Sequence, residues 1–457
     1  MIIKLKRLTI EHIKNVSHGS VDFTYKNKSL NVVGIYGANG SGKTTLVDAV
    51  ALVKQIVEAG LINKPADYQH NLIDLIDFTQ DNPARVSITL ATAEADVTYV
   101  VTLSREAESS VINEEEVYYK ANKKGSRSRL LLHYRRGFSW QKDIPVPLDG
   151  LTKGVEKKIQ VTQNLVELRV LSELVDERAG SFLFNKNMLR ILSTRTIFSN
   201  QLLTVLETFK QFSLNLTIYS SKISGQIYSD IFLPLSFSVD QAFGMVPIPT
   251  DGTKNIRPEV YSVGVKIFEQ INEVLPVLIP NLTISLAKKD VVMSQNGDEF
   301  LTVEAIAHRD EHNFPLRCES DGIKKIISIL STLINVYNHE NVVAVIDELD
   351  AGIYEYLLGE LVSVMSDRAK GLLIFTSHNL RPLEVLPYQK IEFTTVNPKN
   401  RYITIRNIKP TNNLRDVYLR AIQLGGMEEK VFNYNNEIDI KRAFRKAGRK
   451  GELKKND

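Results

Sequence analysis

The chain has 457 residues, 57 Lys and Arg against 53 Asp and Glu, and a formal net charge of +4 at pH 7. This length is sufficient for a large core and two or three structural units, and so small a net charge gives no argument for nucleic-acid binding. The single cysteine, Cys318, excludes an internal disulfide framework and a four-cysteine metal site. We expect Cys318 to be a small packing residue.

The N-terminus predicts a strand. Met1 to Ile13 alternates charged and apolar residues, as a half-buried strand does and a signal peptide does not. No apolar run in the sequence approaches the length that crosses a bilayer. We therefore expect a cytoplasmic protein without a membrane partner.

A phosphate-binding loop follows the next predicted strand. Leu30 to Tyr36 is a short apolar run, and Thr45 to Val53 has the apolar spacing of a helix. The predicted ATP-binding residues lie between and just after them: Gly37, Ala38, Asn39, Gly40, Ser41, Gly42, Lys43, Thr44 and Thr45. In such a loop the backbone N–H groups and the helix N-terminus face the phosphates, Lys43 supplies a charge, and Thr44 supplies a hydroxyl for Mg²⁺. The sequence thus predicts a nucleoside triphosphate site with Mg²⁺.

Two segments are strongly basic. The first, Tyr118 to Arg136, interleaves cations with tyrosines, and the second is the tail from Lys441 to Lys455. For the first we favour a β-hairpin tip with solvated cations over a phosphate-contact patch. For the tail, a phosphate-contact patch, a partner-binding helix and disorder stay open.

The middle of the chain is predicted to be an insertion between two halves of the nucleotide-binding sheet. Val155 to Asp176 and Asn187 to Phe212 have apolar residues at helical spacing without sustained heptads, which favours a compact, mainly helical lobe. The proline-rich stretch Phe243 to Pro258 predicts a loop before a helix at Val260 to Val274.

A Ser-x-Gly pattern then precedes an apolar helix, Ile326 to Val336. Ser320 and Gly322 form this pattern, and the helix end behind them is a second anion-binding end. An ordinary helix cap at Ser320 is the alternative that the sequence leaves open.

Two further strands end in polar residues. Val342 to Ile346 is a near-continuous apolar run, typical of a strand buried on both faces, and it ends at Asp347 and Glu348. Since ligands of α/β sheets lie at the carboxyl ends of strands, we predict Asp347 as a Mg²⁺ ligand and Glu348 as the catalytic general base. Gly371 to Ser377 is the second such strand, and His378 after it is the other predicted catalytic residue.

Together these motifs, in this order, resemble the ABC-type ATPase heads of the SMC, Rad50 and RecF group. They are more closely similar to the small bacterial ATPases of the AAA15 or OLD-like family, many of which belong to antiphage systems. The opening Ile3 to Val16 is similar to the first strand and turn of that family, and Leu414 to Leu419 with Leu424-Gly425-Gly426 is similar to its C-terminal pattern. The resemblance is specific at these motifs, and the middle of the chain does not contribute to it.

The resemblance implies an α/β P-loop NTPase fold of ABC-ATPase head type with a mainly helical insertion lobe. The predicted domains are an N-terminal half of the head (1–150), the insertion lobe (151–300), a C-terminal half of the head (301–410) and a helical, basic tail (411–457). The resemblance also implies that Ser320 and Gly322 contact the ATP of the opposite subunit, so that the heads form a homodimer or a higher oligomer. The Q-loop glutamine of that family cannot be placed in this sequence, because Gln69 and Gln80 both lie between the first predicted helix and the strand Val86 to Leu90.

Two functions are compatible with these residues. The first is an ATP-hydrolysing sensor or regulator of an effector, most like the ATPase subunits of two-gene antiphage systems, PARIS first and Septu second. Its effector would be a Toprim or HNH nuclease encoded nearby, since the residues after His378 lack the Asp-x-Asp pattern of a Toprim metal site. A phage protein or a nucleic acid would be its trigger. The alternative is a DNA repair or recombination ATPase of the RecF or SMC kind that binds DNA.

Overall fold

The computed structural model of the chain describes residues 1–59, 75–76, 82–106, 109–136, 180–187, 200–220, 232–239, 242–250, 252–405, 413–424, 429–431 and 437–451. The strands in these ranges are β1 (Lys4–Ile13), β2 (Val16–Asp22), β3 (Thr24–Tyr25), β4 (Lys28–Ser29), β5 (Val32–Tyr36), β6 (Ala84–Ala91), β7 (Ala95–Glu106), β8 (Ser109–Ala121), β9 (Arg129–Arg135), β10 (Leu216–Tyr219), β11 (Phe232–Val239), β12 (Ala242–Pro249), β13 (Lys254–Ile256), β14 (Leu282–Met293), β15 (Glu299–Arg309), β16 (His312–Pro315), β17 (Val343–Ile346), β18 (Leu372–Thr376), β19 (Ile391–Thr394) and β20 (Tyr402–Ile403). The helices are α1 (Lys43–Ala59), α2 (Asn200–Leu214), α3 (Pro258–Leu278), α4 (Asp321–Asn338), α5 (Glu355–Arg368), α6 (Pro382–Val385), α7 (Leu414–Leu424) and α8 (Glu437–Gly451).

The central sheet is parallel and carries the nucleotide loop. Its order is β10-β17-β18-β5-β19, with β20 antiparallel at the edge. Every residue of β5, β17 and β18 is buried, as the apolar runs predicted, and so is every residue of β19, which was not predicted. Because β18 lies between β17 and β5, the carboxyl ends of these three strands meet at one edge of the sheet.

An antiparallel sheet covers one face of this core. Its order is β2-β1-β6-β7-β8-β9, and β6 alternates buried and half-buried residues. Apolar residues of α1 pack between the two sheets, in one cluster with Val33 and Ile35 of β5. Val32 and Tyr36 face the other way, into a cluster with α4 and α5. The hairpin β8–β9 confirms the predicted basic hairpin, and the side chains of Lys123, Lys124 and Arg127 at its tip are exposed.

The range predicted as a mainly helical insertion contains many strands in its described part. Two helices, α2 and α3, lie there beside strands β10 to β14, and Val155 to Asp176 lies outside the described residues. β10 also belongs to the central sheet, where it pairs with β17. The described part of 151–300 is therefore not mainly helical, contrary to the prediction. For the other residues of this range the helical lobe stays a prediction.

The proline-rich stretch is a strand rather than a loop over its first half. β12 pairs antiparallel with β11 in a two-stranded sheet, where Pro247 lies opposite Pro234. Proline is tolerated there because a strand at the edge of a sheet leaves some N–H positions unpaired. The helix predicted after this stretch is confirmed as α3. It packs with β14 and β15 in a third apolar cluster, which also includes Ile327 and Leu330 of α4.

The C-terminal helices differ in how they pack. Tyr418 of α7 stacks on Phe393 of β19 with ring centroids 5.0 Å apart, which ties α7 to the core. In α8 the side chains of residues 437–448 are exposed. In the described ranges, every helix is too short or too polar to span a lipid bilayer.

Candidate functional site

The phosphate-binding loop leads from the end of β5 into α1, as predicted. Lys43 is the first residue of α1 and is buried, and its Nζ donates to the carbonyl oxygens of Gly37 at 2.9 Å and Ala38 at 3.0 Å. Burial lowers the pKa of Lys43, and the nearby carboxylates of Asp347, Glu348 and Asp350 oppose that shift. The lysine charge thus lies close to the acidic end of β17.

The shape of the loop depends on its glycines and on β19. Gly42 has a φ of +100°, in the region that favours glycine. A Cβ on Gly37 would lie 1.6 Å from Oγ1 of Thr394, so any larger residue there would displace β19. Thr394 Oγ1 donates to Ser41 Oγ at 2.5 Å, and Ser41 Oγ donates to the carbonyl of Ala38 at 2.6 Å. These hydrogen bonds hold the phosphate-binding loop against the end of β19.

Three residues that the motif analysis did not select also support the loop. Asn15 Nδ2 donates to the carbonyl of Gly40, and Thr45 Oγ1 donates to Asn15 Oδ1 at 3.4 Å. Arg401 donates to the carbonyl of Asn15, and Tyr402 Oη donates to the carbonyl of Gly42 at 2.7 Å. Burial lowers the pKa of the Arg401 guanidinium and raises the pKa of Tyr402. Only Asn15 had a signal in the sequence, as part of the opening stretch.

The predicted acids lie at the end of β17, which is separated from β5 by β18. Asp347 is 7% exposed, and its Oδ1 accepts a hydrogen bond from Thr376 Oγ1 at 2.5 Å. The backbone N–H of Glu348 donates to the same Thr376 oxygen at 2.7 Å, while the Glu348 side chain is exposed. Thr376, the last residue of β18, therefore holds the carboxylate of Asp347 and the backbone of Glu348, and sequence analysis missed it.

His378 lies at the same edge, after β18. Its backbone N–H donates to Asp350 Oδ2 at 3.1 Å, and the N–H of Asn379 donates to the same oxygen at 3.0 Å. The His378 side chain is exposed. Asp350 thus joins the loop after β17 to the turn that carries the histidine.

Ser320 and Gly322 lie at the start of α4. Ser320 is the N-cap residue and its Oγ accepts from the N–H of Ile323 at 3.4 Å, so the capping interpretation is present in the structure. A Cβ on Gly322 would lie 2.3 Å from the carbonyl oxygen of Gly352, which itself has a φ of +75°. The turn at Gly322 therefore packs directly against the loop after β17, within one chain. The contact of Ser320 and Gly322 with an opposite subunit stays a prediction.

Two other expectations concern residues near these motifs. Cys318, expected to be a packing residue, is exposed in a 3₁₀ turn at Leu316–Cys318, because the turn directs it away from the cluster that buries Leu316. Gln69 and Gln80, the alternatives for the Q-loop, lie outside the described residues.

Comparisons with known proteins agree with this geometry in part. A family model described as an AAA domain (AAA_23) matches residues 7–189, which include the phosphate-binding loop and the antiparallel sheet but not the acidic strand. A search among curated proteins finds no match.

Solved structures of SMC head domains are similar at low identity. An SMC head bound to the C-terminal winged-helix domain of ScpA has 13% identity and a TM-score of 0.46, with 88% of this chain and 98% of that chain covered. An SMC head with an extended coiled coil, bound to the C-terminal domain of ScpA derived from Pyrococcus furiosus, has 14% identity and a TM-score of 0.40, with 88% and 96% covered. The SMC head domain from Thermotoga maritima has 14% identity and a TM-score of 0.39, with 88% and 100% covered. Likenesses this distant indicate no substrate or partner for this chain.

The fold itself follows from the chain's own topology. A parallel core with the phosphate-binding loop after β5 and paired acids after β17, covered by an antiparallel sheet across α1, is the P-loop fold of ABC-type ATPase heads. The predicted P-loop fold of ABC-ATPase head type is therefore confirmed, whereas the described part of the predicted helical insertion contains many strands.

Proposed function

We propose that the chain binds and hydrolyses ATP as an ABC-type ATPase. The observation that carries this proposal is the meeting of three strand ends at one edge of the core sheet. They bring Lys43 after β5, Asp347 and Glu348 after β17, and His378 after β18 to that edge. The electrostatic effect of the three acids on Lys43 supports their closeness.

The residues present suit Mg²⁺ as well as a nucleotide. Thr44 lies in the first turn of α1 and Asp347 at the end of β17, and hydroxyl and carboxylate oxygens are the ligands that Mg²⁺ prefers. These two residues would hold the ion, which when bound neutralises charge on the phosphates. The fixed orientation of the Asp347 carboxylate by Thr376 favours this role.

Each remaining side chain would then have a part in hydrolysis. The loop N–H groups bind the phosphates, and Lys43 adds a positive charge to them. Glu348, exposed at the edge of the sheet, accepts a proton from the attacking water. His378 contacts the γ-phosphate or that water, on a turn that Asp350 orients.

We further propose that the heads form a homodimer or higher oligomer, in which Ser320 and Gly322 complete the site of the opposite subunit. By the resemblance of the motifs to the AAA15 or OLD-like family, the pair of heads would regulate a partner effector, a Toprim or HNH nuclease, in antiviral defence in the cytoplasm. The trigger would be a phage protein or a nucleic acid. The exposed position of Ser320 supports access by a second subunit.

The hydrolysis proposal is tested with Glu348→Gln, which keeps the shape of the side chain and loses the base. We expect phosphate release with Mg²⁺ and ATP to fall by about 10²-fold or more, with ATP still bound, because general-base catalysis contributes about that much. Glu360→Gln is the matched control, since Glu360 is an exposed acid on α5. Equal rates for Glu348→Gln and wild type would remove Glu348 from the mechanism.

The effector proposal needs a different experiment. The chain is purified together with the product of its neighbouring gene, with and without ATP, and the mass of the complex is measured. Recovery of a complex with a nuclease that changes with ATP is the expected result. A chain that instead binds DNA and no neighbouring product would favour the repair function of the RecF or SMC kind.

A further inference from the structure

Glu348 has an unusual backbone conformation. Its φ is +51°, in the left-handed region that residues other than glycine rarely adopt. Such a conformation costs free energy and persists only where the surrounding structure holds it, often at functional sites. The hydrogen bonds to this residue therefore matter for where its carboxylate points.

Three hydrogen bonds hold the Glu348 backbone. Its N–H donates to Thr376 Oγ1 at 2.7 Å, and its carbonyl oxygen accepts from the N–H of Ala351 at 3.0 Å. The same carbonyl accepts from Nζ of Lys325 at 2.6 Å. Thr376 belongs to the core sheet and Ala351 to the turn after β17. Lys325, in contrast, belongs to α4.

Lys325 connects the acidic end of β17 to the Ser320 turn. It lies five residues after Ser320, in the first turns of α4, and its side chain is half-buried. A second contact runs in parallel, because Gly322 packs against the backbone of Gly352. The start of α4 therefore contacts the loop from Glu348 to Gly352 at two points.

We propose that Lys325 is a positioning residue for hydrolysis, which holds the left-handed backbone of Glu348 and couples the Ser320 end of α4 to the Glu348 carboxylate. This proposal rests on the assignment of Glu348 as the general base. Lys325 does not contact the reacting atoms in this mechanism. It acts on the main chain of the residue that does.

The preceding lysine provides a matched control. Lys324 lies on the same helix, but its Nζ pairs with Asp321 at 2.9 Å. Successive residues of a helix point about 100° apart, so Lys324 faces a different direction from Lys325. Lys324→Met therefore removes the same charge from the same helix without removing the contact with Glu348.

The test compares Lys325→Met, Lys325→Arg and Lys324→Met in the full chain. In Lys325→Met we expect single-turnover ATP hydrolysis to fall about 10-fold to 100-fold, since small misplacements of catalytic groups have effects of that size. The Kd for ATP should change by less than about threefold, because the lost contact is not with the nucleotide. Lys325→Arg, which keeps a charged donor, should recover most of the rate.

Hydrogen exchange gives a readout that does not depend on activity. In Lys325→Met, amides of residues 349–352 should exchange faster than in wild type, while amides of the loop 37–45 should not change. If Lys325→Met does not fold, Lys325→Gln takes its place with the same expected results.

The outcomes separate this proposal from the proposed function. If Glu348→Gln is inactive but Lys325→Met leaves both the rate and the exchange of 349–352 unchanged, the positioning role is overturned and the general base stands. The positioning role is also overturned if the slower hydrolysis of Lys325→Met is explained by an equal loss of ATP affinity. It is overturned as well if Lys324→Met slows hydrolysis to the same extent. If Glu348→Gln is fully active, the base assignment fails, whatever the exchange shows.

Discussion

At the scale of single residues, the hydroxyl of Thr376 has two partners that belong to the predicted hydrolysis site. It donates to the Asp347 carboxylate and accepts from the Glu348 N–H, and the residue is fully buried. A valine in its place has the same shape but leaves a buried N–H and a carboxylate oxygen without this partner.

We predict that Thr376→Val lowers the free energy of unfolding by about 1–3 kcal/mol, the cost of unsatisfied buried polar groups. ATP hydrolysis should also fall by about tenfold or more, because the Asp347 carboxylate and the Glu348 backbone lose the hydroxyl that holds them. Denaturant unfolding and phosphate release measure the two effects. Thr376→Ser keeps the hydroxyl and should retain most of the stability and most of the hydrolysis rate. A valine variant as active as the serine variant would contradict the role of the Thr376 hydroxyl.

The residues that sequence analysis predicted and those that it missed differ in the range of their contacts. Lys43, Asp347 and Glu348 follow from local patterns, since a strand end and a glycine loop are visible within ten residues. Thr376, Arg401 and Tyr402 act on residues that are distant in the chain: Arg401 on Asn15, for example, and Thr376 on Asp347. No local pattern marks such contacts, because they exist only after the sheet has formed.

At the scale of elements, a buried carboxylate fastens the segment 180–187 to the antiparallel sheet. Glu115 of β8 is fully buried and accepts from Tyr99 Oη and Ser181 Oγ, both at 2.6 Å, and from the N–H groups of Phe182 at 2.7 Å and Leu183 at 3.3 Å. Burial raises the pKa of Glu115, and these donors oppose the shift. The folded protein therefore binds a proton here more tightly than the unfolded chain does.

This shift predicts a pH dependence with a definite sign. For an acid whose folded pKa is raised, the added stability is complete below the unfolded pKa, near the ordinary value of 4.5, and is lost as pH rises through the folded pKa. We therefore expect the melting temperature of wild type to rise, relative to that of Glu115→Gln, as pH falls from 7 towards 5. Thermal scans of both proteins across this pH range measure the difference in melting temperature. The effects of other titrating groups largely cancel in that difference, because both proteins contain them. A constant difference would contradict a contribution of Glu115 protonation to stability in this range.

The elements that were predicted well share strong and uninterrupted patterns. The runs that became β5, β17 and β18 are short and wholly apolar, and α3 and α4 have clear helical spacing. β11 and β12 carry prolines, which argue against a strand inside a sheet but not in a two-stranded sheet at the edge. Their identity as strands depends on their place in the fold, which the sequence alone does not indicate.

At the scale of the whole molecule, the proposal of a site shared between two heads leads to two predictions. Gly322 is a poor position for a test, because a side chain there would collide with the Gly352 carbonyl in its own chain. Any loss of activity would then follow from damage within one subunit. Ser320 is exposed, and its side chain serves only as a helix cap among the contacts that the structure describes.

A charge at Ser320 probes the opposite site without removing the cap. Aspartate and asparagine both cap helices as well as serine does, but only aspartate adds a negative charge. If Ser320 faces the γ-phosphate of ATP in the other subunit, Ser320→Asp should abolish most hydrolysis by repulsion, and Ser320→Asn should keep much of it. Wild-type activity in both variants would mean that Ser320 is a cap and nothing more.

Mixing two inactive chains then tests whether the site is composite. Lys43→Ala damages the phosphate-binding loop of its own site, and Ser320→Asp damages the site of its neighbour, so each homodimer has two defective sites. A heterodimer has one site with both defects and one with none, and it should recover up to about half the activity of a wild-type dimer if one site can fire alone. Phosphate release from mixed samples measures this recovery, with subunit exchange followed by differently tagged chains. No recovery despite confirmed exchange would contradict independent composite sites, because each site would then be self-contained or both would have to fire together.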